Sequence, residues 1–131
     1  MRYQIIRVAL NGYVEYAWSH VSKQRQKGTS FETAIVGWLK EHGFPYAERR
    51  ALHGTFDKGD ITGTGPLVWE CKNHKTLAIS EWLSETEEER KNAAADIGIL
   101  VAKRRGYGDP AEQYAILSLA QLVALLKAAG Y

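Results

Sequence analysis

Residues 57–72 have the sequence DKGDITGTGPLVWECK, in which a glycine-rich segment leads into a short strand-like run. Successive side chains of a strand point to opposite faces, so we expect Glu70 and Lys72 to project side by side from residues 67–72. The segment that separates this run from Asp60 is short and carries two glycines, which favours a tight return. The sequence therefore predicts two neighbouring carboxylates and an ammonium group within a β-sheet.

Two carboxylates held side by side repel each other, and a divalent cation relieves that repulsion. Oxygen ligands with positions left open for water suit Mg²⁺, with Mn²⁺ as its substitute, and such an ion holds a phosphate group and an attacking water together. A lysine beside them is able to orient or help deprotonate the water and to offset the charge of the transition state. Asp60, Glu70 and Lys72 therefore indicate metal-dependent hydrolysis at a phosphate group.

The segments before this run predict a hairpin and a helix. Residues 4–18 contain two alternating apolar runs around Asn11-Gly12, a strong signal for a β-hairpin. A polar connector follows, and a helix is expected to begin at Thr29, where Glu32 lies at capping-box spacing. Gly43 is expected to end this helix as a left-handed C-cap.

The remaining segments predict a mixed α/β layer. In chain order they are strands at residues 46–52, around Asp60-Ile61 and at residues 67–72, a helix at residues 80–95 with a Ser84–Glu87 capping box, strands at residues 97–102 and 113–117, and a final helix from Ser118, with Gln121 at capping-box spacing, to Gly130. The first three strands are joined by tight glycine turns, as in an antiparallel meander. We therefore expect an α/β fold with a central mixed sheet flanked by helices.

Length and composition favour one soluble domain. A chain of 131 residues is long enough to bury one core but short for two. The single cysteine, Cys71, excludes an intramolecular disulfide and fits a reducing cytoplasm. A membrane-spanning apolar stretch and a signal peptide are both lacking in the sequence, so we expect a cytoplasmic protein without a membrane partner.

Basic residues form clusters although the net charge is small. A formal charge of +2 does not by itself indicate nucleic-acid binding. The clusters are Lys23, Arg25 and Lys27, then Arg49 and Arg50, and then Lys103, Arg104 and Arg105. Each cluster is either solvated surface or a set of phosphate contacts, and the neighbouring residues have to decide between these two interpretations.

The acidic and basic pattern resembles that of the PD-(D/E)xK nucleases, which carry an acidic residue, a variable gap, then Glu or Asp, any residue and Lys. Gly59-Asp60-Ile61 followed by Glu70-Cys71-Lys72 fits this pattern, with Gly59 in place of the usual proline. The resemblance implies a restriction-endonuclease-like core and Mg²⁺-dependent hydrolysis of DNA. Residues 27–131 would form this core, and residues 1–26 would add the N-terminal hairpin and connector.

Within this superfamily the chain is most similar to the archaeal-type Holliday-junction resolvases and their phage relatives over roughly residues 27 to 127. The matching residues are Lys27-Gly28, Glu32, Gly43-Phe44, Arg49 or Arg50, and His53-Gly54, followed by Asp60, Glu70 and Lys72. The family usually has a serine in the loop before the Asp, whereas this chain offers His53 and Thr55. A small stand-alone nuclease of this type suits a phage or mobile element.

The resemblance implies a resolvase that acts on four-way DNA junctions as a homodimer. Asp60, Glu70 and the backbone carbonyl of Cys71 would bind the metal, Glu32 would complete the acidic cluster, and Lys72 would assist the water. The residues expected to contact DNA are Lys27, Arg49, Arg50, His53, Lys103, Arg104 and Arg105.

Other interpretations stay open. One alternative is that Glu32 caps its helix together with Thr29 and supports no metal. Glu70 and Lys72 are alternatively an ion pair on an exposed strand. A thiol nucleophile at Cys71 is disfavoured because strand alternation turns it toward the core. At the level of function, the alternatives are a nicking, restriction-like or branched-DNA repair nuclease and a DNA-binding module without catalysis.

Overall fold

The structure is a computed structural model that describes residues 3–10, 13–20, 23–51 and 56–131. In chain order the elements are β1 (Tyr3–Leu10), β2 (Tyr13–His20), α1 (Lys23–Glu41), β3 (Glu48–Arg49), β4 (Ile61–Thr62), β5 (Leu67–Lys72), α2 (Ile79–Asn92), β6 (Ile97–Ala102), a 3₁₀ turn (Pro110–Glu112), β7 (Tyr114–Ile116) and α3 (Leu119–Ala128). The predicted turn Asn11-Gly12, the end of the predicted strand 46–52 and the predicted DNA contact His53 lie outside the described residues. Within those residues no helix is both long and apolar enough to cross a membrane.

The described residues from β3 onward form a five-stranded sheet in the order β3-β4-β5-β6-β7. Neighbouring strands are antiparallel except β5 and β6, which run parallel and are joined by α2. Glu70 pairs with Leu100 in the middle of this parallel ladder. The prediction of an α/β fold with a mixed sheet and flanking helices is confirmed, as is the meander of β3, β4 and β5. Among the described residues, β1 and β2 form a separate two-stranded sheet, with Leu10 opposite Tyr13.

β3 and β4 are shorter than the sequence predicts. β4 lies between Gly59 and Gly63, which have φ angles of +90° and +80° and turn the chain at both of its ends. A Cβ atom added at Gly63 would lie 1.9 Å from the carbonyl oxygen of Tyr46, so the two segments approach too closely for any side chain there. Only two residues of β4 are therefore left to pair with β3.

The prediction that α1 begins at Thr29 is wrong, because the helix begins at Lys23. The hydroxyl of Thr33 donates a hydrogen bond to the Thr29 carbonyl at 2.8 Å, which places Thr29 inside the helix. Lysine, glutamine and arginine are good helix formers, and the single interruption at Gly28 costs about 1 kcal/mol, too little to end a helix that packs on a sheet. Part of the predicted connector is therefore helical, and Glu32 is not part of a helix cap.

The helix ends agree better with prediction. Gly43 adopts φ +100° after α1, and the N–H of Phe44 donates to the carbonyl of Leu39 at 3.0 Å, as in a Schellman motif. Ser118 caps α3 by accepting a hydrogen bond from the Gln121 N–H at 3.3 Å, as predicted.

The predicted capping box Ser84–Glu87 is wrong. α2 begins earlier, at Ile79, behind an Ala78 that makes no side-chain cap. The Ser84 hydroxyl donates to the Ser80 carbonyl at 3.1 Å, inside the helix. The same short-range spacing therefore occurs within helices as well as at their starts.

The two long helices cover opposite faces of the sheet. The buried core on the α1 side consists of Phe31, Ile35, Val36, Leu39, Ala47, Ile61, Cys71, Ile97, Ile99 and Val101. On the α2 side, Trp82 packs on Leu100 and Ala102. Since side chains alternate along β5, Cys71 faces α1 whereas Glu70 and Lys72 face α2.

Candidate active site

Asp60 is held between β3 and β5 by its own backbone. Its N–H donates to the carbonyl of Trp69 at 2.7 Å, and its carbonyl accepts from the N–H of Arg50 at 2.7 Å. Its carboxylate oxygen Oδ2 accepts a hydrogen bond from the N–H of Cys71 at 2.7 Å. This bond fixes the Asp60 carboxylate at the edge of β5, next to Glu70.

Gly59 makes this approach possible. A Cβ atom there would lie 2.8 Å from the Trp69 carbonyl oxygen, closer than carbon and oxygen atoms pack, and φ of +90° is strained for any residue with a side chain. Proline, whose ring holds φ near −65°, does not fit this conformation. The glycine in place of the usual proline of the nuclease pattern therefore has a structural reason in this chain.

Glu70 and Lys72 meet beneath α2. Glu70 is only 7% exposed. The Nζ atom of Lys72 lies 3.0 Å from Oε1 of Glu70 and 2.8 Å from Oε2 of Glu85. Burial favours the neutral amine, but the carboxylates of Glu85 and Glu70 outweigh it and raise the pKa of Lys72 above its usual range. Lys72 is therefore a charged donor in a partly buried pair, rather than half of an exposed surface pair.

The charges around Asp60 disfavour a second anion. Burial, followed by the neighbouring Glu70 carboxylate, raises the pKa of Asp60 to about 7, although the hydrogen bond from Cys71 opposes the shift. Glu32 adds a smaller effect in the same direction. An arrangement in which one carboxylate penalises the ionisation of its neighbour is stabilised by a cation.

Glu89 also belongs to this cluster, although the sequence analysis assigned it no role. It projects from α2, is 5% exposed, and its Oε2 atom has no hydrogen-bond partner among the described residues. Burial, followed by contact with Glu70, raises the pKa of Glu89 far above its ordinary value. Helical periodicity from the buried Trp82 through Thr86 would have placed Glu89 on the inward face of α2.

The side chain and the backbone of Cys71 face different parts of the structure. Its side chain is buried on the α1 side, and burial raises the pKa of the thiol, which makes it a poor nucleophile. Its N–H points at Asp60, and in an extended strand the N–H and C=O of one residue project toward the same side. The carbonyl oxygen of Cys71 therefore points toward the Asp60 carboxylate, where it was predicted to bind a metal.

Glu32 reaches the same region from α1. Its carboxylate pairs with Nε of Arg49 at 2.9 Å. Its charge contributes to the raised pKa values of both Asp60 and Cys71, which places it on the Asp60 side of the sheet. The alternative that Glu32 caps α1 is excluded by the start of that helix at Lys23.

The donor set fits a hard divalent cation. Within the described parts of the chain, no three His, Cys, Asp or Glu side chains form a preformed metal-binding group. The carboxylates of Asp60 and Glu70 and the carbonyl of Cys71 are oxygen donors of the kind that Mg²⁺ and Mn²⁺ prefer. The Oε2 atom of Glu89 is buried and has no described partner, so a cation at this position would stabilise it.

The predicted DNA contacts fall into two regions. Arg49 pairs with Glu32, and Arg50 is partly buried beside Asp60, with an Nε atom that has no partner in the described structure. Lys27 lies on the exposed side of α1. The two basic regions are thus one near Asp60 and a second one beyond the end of β6.

The second basic region is a cleft of about 340 Å³. Its lining consists of His74, Lys75, Leu77, Lys103, Arg104, Arg105, Tyr107 and Tyr114. The ammonium of Lys103 donates hydrogen bonds to the carbonyls of Arg104 and Tyr107 and so stabilises the loop that follows β6. Arg104 stacks 3.6 Å above the Tyr107 ring, whereas Arg105 is exposed.

Comparisons with protein-family models, with curated proteins and with solved structures find no match for this chain. Proposals about its function therefore rest on its own site geometry and on the spacing of Asp60, Glu70 and Lys72. That geometry brings together the carboxyl groups of Asp60, just before β4, of Glu70 in β5 and of Glu89 in α2.

Proposed function

We propose that this protein is a Mg²⁺-dependent DNA endonuclease with a restriction-endonuclease-like core and an additional N-terminal hairpin. The observation that carries the proposal is the side-by-side placement of Asp60 and Glu70, with the Lys72 ammonium 3.0 Å from Glu70, within a mixed sheet. This arrangement matches the chemistry that the PD-(D/E)xK pattern implies.

Asp60, Glu70 and the carbonyl of Cys71 would hold the cation, which supplies Lewis acidity at a phosphate oxygen. The water oxygen gives up a proton to solvent and forms a bond to phosphorus, the bond to the leaving oxygen breaks, and that oxygen takes up a proton from solvent. Lys72 is a charged donor, so it orients the phosphate and offsets its growing negative charge instead of removing a proton. The products are a phosphate monoester and an alcohol.

Four-way junctions are the proposed substrate, and a cytoplasmic homodimer is the proposed acting form. Resolution requires two symmetric nicks, which a two-fold dimer provides. The cleft supports the DNA-binding part of this proposal, because it presents the exposed cations Lys75 and Arg105, the partly buried Arg104 and two half-exposed tyrosines to a nucleic-acid backbone.

The test is cleavage of a labelled immobile four-way junction and of its linear duplex arms in Mg²⁺. We expect paired nicks near the branch point from the wild type. Lys72→Ala should lower the cleavage rate on the order of 10²–10³-fold, because it removes a cation that stabilises the transition state. Glu70→Gln should lower the cleavage rate at least as much. Lys40→Ala, which removes an exposed lysine of α1 outside both the carboxylate cluster and the cleft lining, is the control and should retain the cleavage chemistry.

The other outcomes identify the alternatives. Equal cleavage of junction and linear DNA would replace the resolvase by a nicking, restriction-like or general repair nuclease. Tight DNA binding without cleavage in Mg²⁺ or Mn²⁺ would leave a DNA-binding module and contradict the enzyme proposal.

A further inference from the structure

Glu89 lies in the site but has no part in the reaction as proposed above. It extends from α2 and is only 5% exposed. Its Oε2 atom has no hydrogen-bond partner within the described residues. A buried carboxyl oxygen without a partner destabilises a fold unless a proton or a cation compensates for it. Packing of α2 on the sheet does not by itself explain why this carboxyl group is buried.

The carboxyl group of Glu89 is directed at Glu70. Contact with Glu70 follows burial among the causes that raise the pKa of Glu89, and the charges of Asp57 and Asp60 add to it. Lys72 makes its described ion pairs with Glu70 and Glu85 and not with Glu89. Within the described residues, Glu89 is thus a buried acid that faces other acids and has no ion pair.

We propose that Glu89 is a further protein ligand of the divalent cation at Asp60 and Glu70, supplied by the helix layer rather than by the sheet. This inference rests on the proposed function. Mg²⁺ and Mn²⁺ take six oxygen ligands, and the two sheet carboxylates with the Cys71 carbonyl account for three of them. A third carboxylate leaves two positions for water and for a phosphate oxygen.

A purely structural role for Glu89 makes a different prediction. If Glu89 only shares a proton with Glu70, its replacement by glutamine leaves cation affinity unchanged or increases it, because an amide also donates a hydrogen bond to Glu70. If Glu89 is a ligand, the same replacement weakens cation binding. The sign of the change separates the two roles without reference to catalysis.

The experiment is Mn²⁺ titration of the full chain without DNA, followed by electron paramagnetic resonance of the free ion. We expect Glu89→Gln to weaken Mn²⁺ binding by about 10- to 100-fold, the range found when groups that support a metal site are replaced. Glu89→Asp keeps the charge but withdraws the carboxylate by one methylene, so it should also weaken binding. Glu88→Gln removes an equal charge from the exposed neighbouring position and should leave binding unchanged.

Wild-type affinity in Glu89→Gln, with binding lost in Glu70→Gln, would overturn this inference and leave the proposed function standing. A wild-type chain that binds no Mn²⁺ would overturn both. Circular dichroism and thermal melting in chelator check the fold of each variant. If Glu89→Gln does not fold, Glu89→Asp decides, since wild-type affinity in that variant also overturns the inference.

Discussion

At the scale of single residues, the crowding of carboxylates around Glu70 would link stability to the proposed cation binding. Asp60 and Glu89 both face Glu70, and burial and mutual repulsion raise the pKa values of both groups. Without a cation, the ionisation of these carboxyl groups works against folding. Substitutions that remove charge here should stabilise the chain while they damage its function.

We expect Asp60→Asn to stabilise the cation-free protein at pH 7.5, on the order of 2 kcal/mol, in chelator. The folded-state pKa of Asp60 is raised from 3.8 to about 7, so the wild type loses stability as pH rises through that interval, and asparagine does not titrate. The amide oxygen still accepts the Cys71 N–H bond. Urea unfolding at several pH values measures the difference.

The difference between Asp60→Asn and the wild type should disappear below about pH 3, where the pH lies under both the unfolded-state pKa of 3.8 and the folded-state pKa of about 7 and Asp60 is largely protonated in both states. Glu81→Gln, which changes an exposed acid of α2, controls for general charge effects. A destabilised Asp60→Asn at pH 7.5 in chelator would contradict the repulsion on which the site description depends.

At the scale of elements, the close packing of α2 on β6 positions the helix acids over the sheet. A Cβ atom at Gly98 would lie 3.1 Å from the side chain of Thr86 and 3.2 Å from its carbonyl oxygen. Thr86 is fully buried, and its hydroxyl donates to the Trp82 carbonyl at 2.7 Å, so it has little room to move. Gly98 therefore sets the distance between α2 and the sheet.

Gly98→Ala should lower the free energy of unfolding by about 1–3 kcal/mol, because overpacking forces α2 away from β6. It should also weaken Mn²⁺ binding, since Glu85 and Glu89 move with the helix. Gly108→Ala is the control because no atom lies within 4 Å of the added Cβ there. A Gly98→Ala variant with the wild-type unfolding midpoint would show that α2 adjusts without strain.

At the scale of the whole molecule, α3 carries apolar side chains that the described chain leaves exposed. They are Leu119, Leu122, Val123, Leu125 and Leu126. Contiguous exposed apolar residues on a soluble protein commonly mark an interaction surface. In the proposed homodimer, α3 is therefore the surface that we expect to contact the second copy.

The double variant Leu122→Lys and Leu126→Lys should be monomeric in sedimentation equilibrium, because it places charges one helical turn apart in the proposed interface. Leu77→Lys, at a residue as exposed as Leu122 but far along the chain, should remain dimeric. Wild-type protein that is monomeric at all concentrations would contradict the proposed dimer, and a double variant that stays dimeric would move the interface to another surface.

The sequence by itself was sufficient for the features that depend on local geometry. The bounds of β5 and β6 agree with prediction, because apolar runs and two-residue alternation act within the strand itself. Alternation also placed Glu70 and Lys72 on one face, where they are in contact. The helix start at Thr29 and the capping box Ser84–Glu87 were predicted wrongly, since capping spacing does not tell whether the preceding residues continue the helix.

Only the tertiary structure decided which acids share the site. Glu89 becomes a buried neighbour of Glu70 because α2 packs closely over Gly98. Arg49 forms an ion pair with Glu32 because β3 lies beside α1. Burial and electrostatic interaction depend on the distances between segments far apart in the chain. The sequence determined the direction of each strand side chain, whereas packing between α2 and the sheet determined that a third carboxylate joins Asp60 and Glu70.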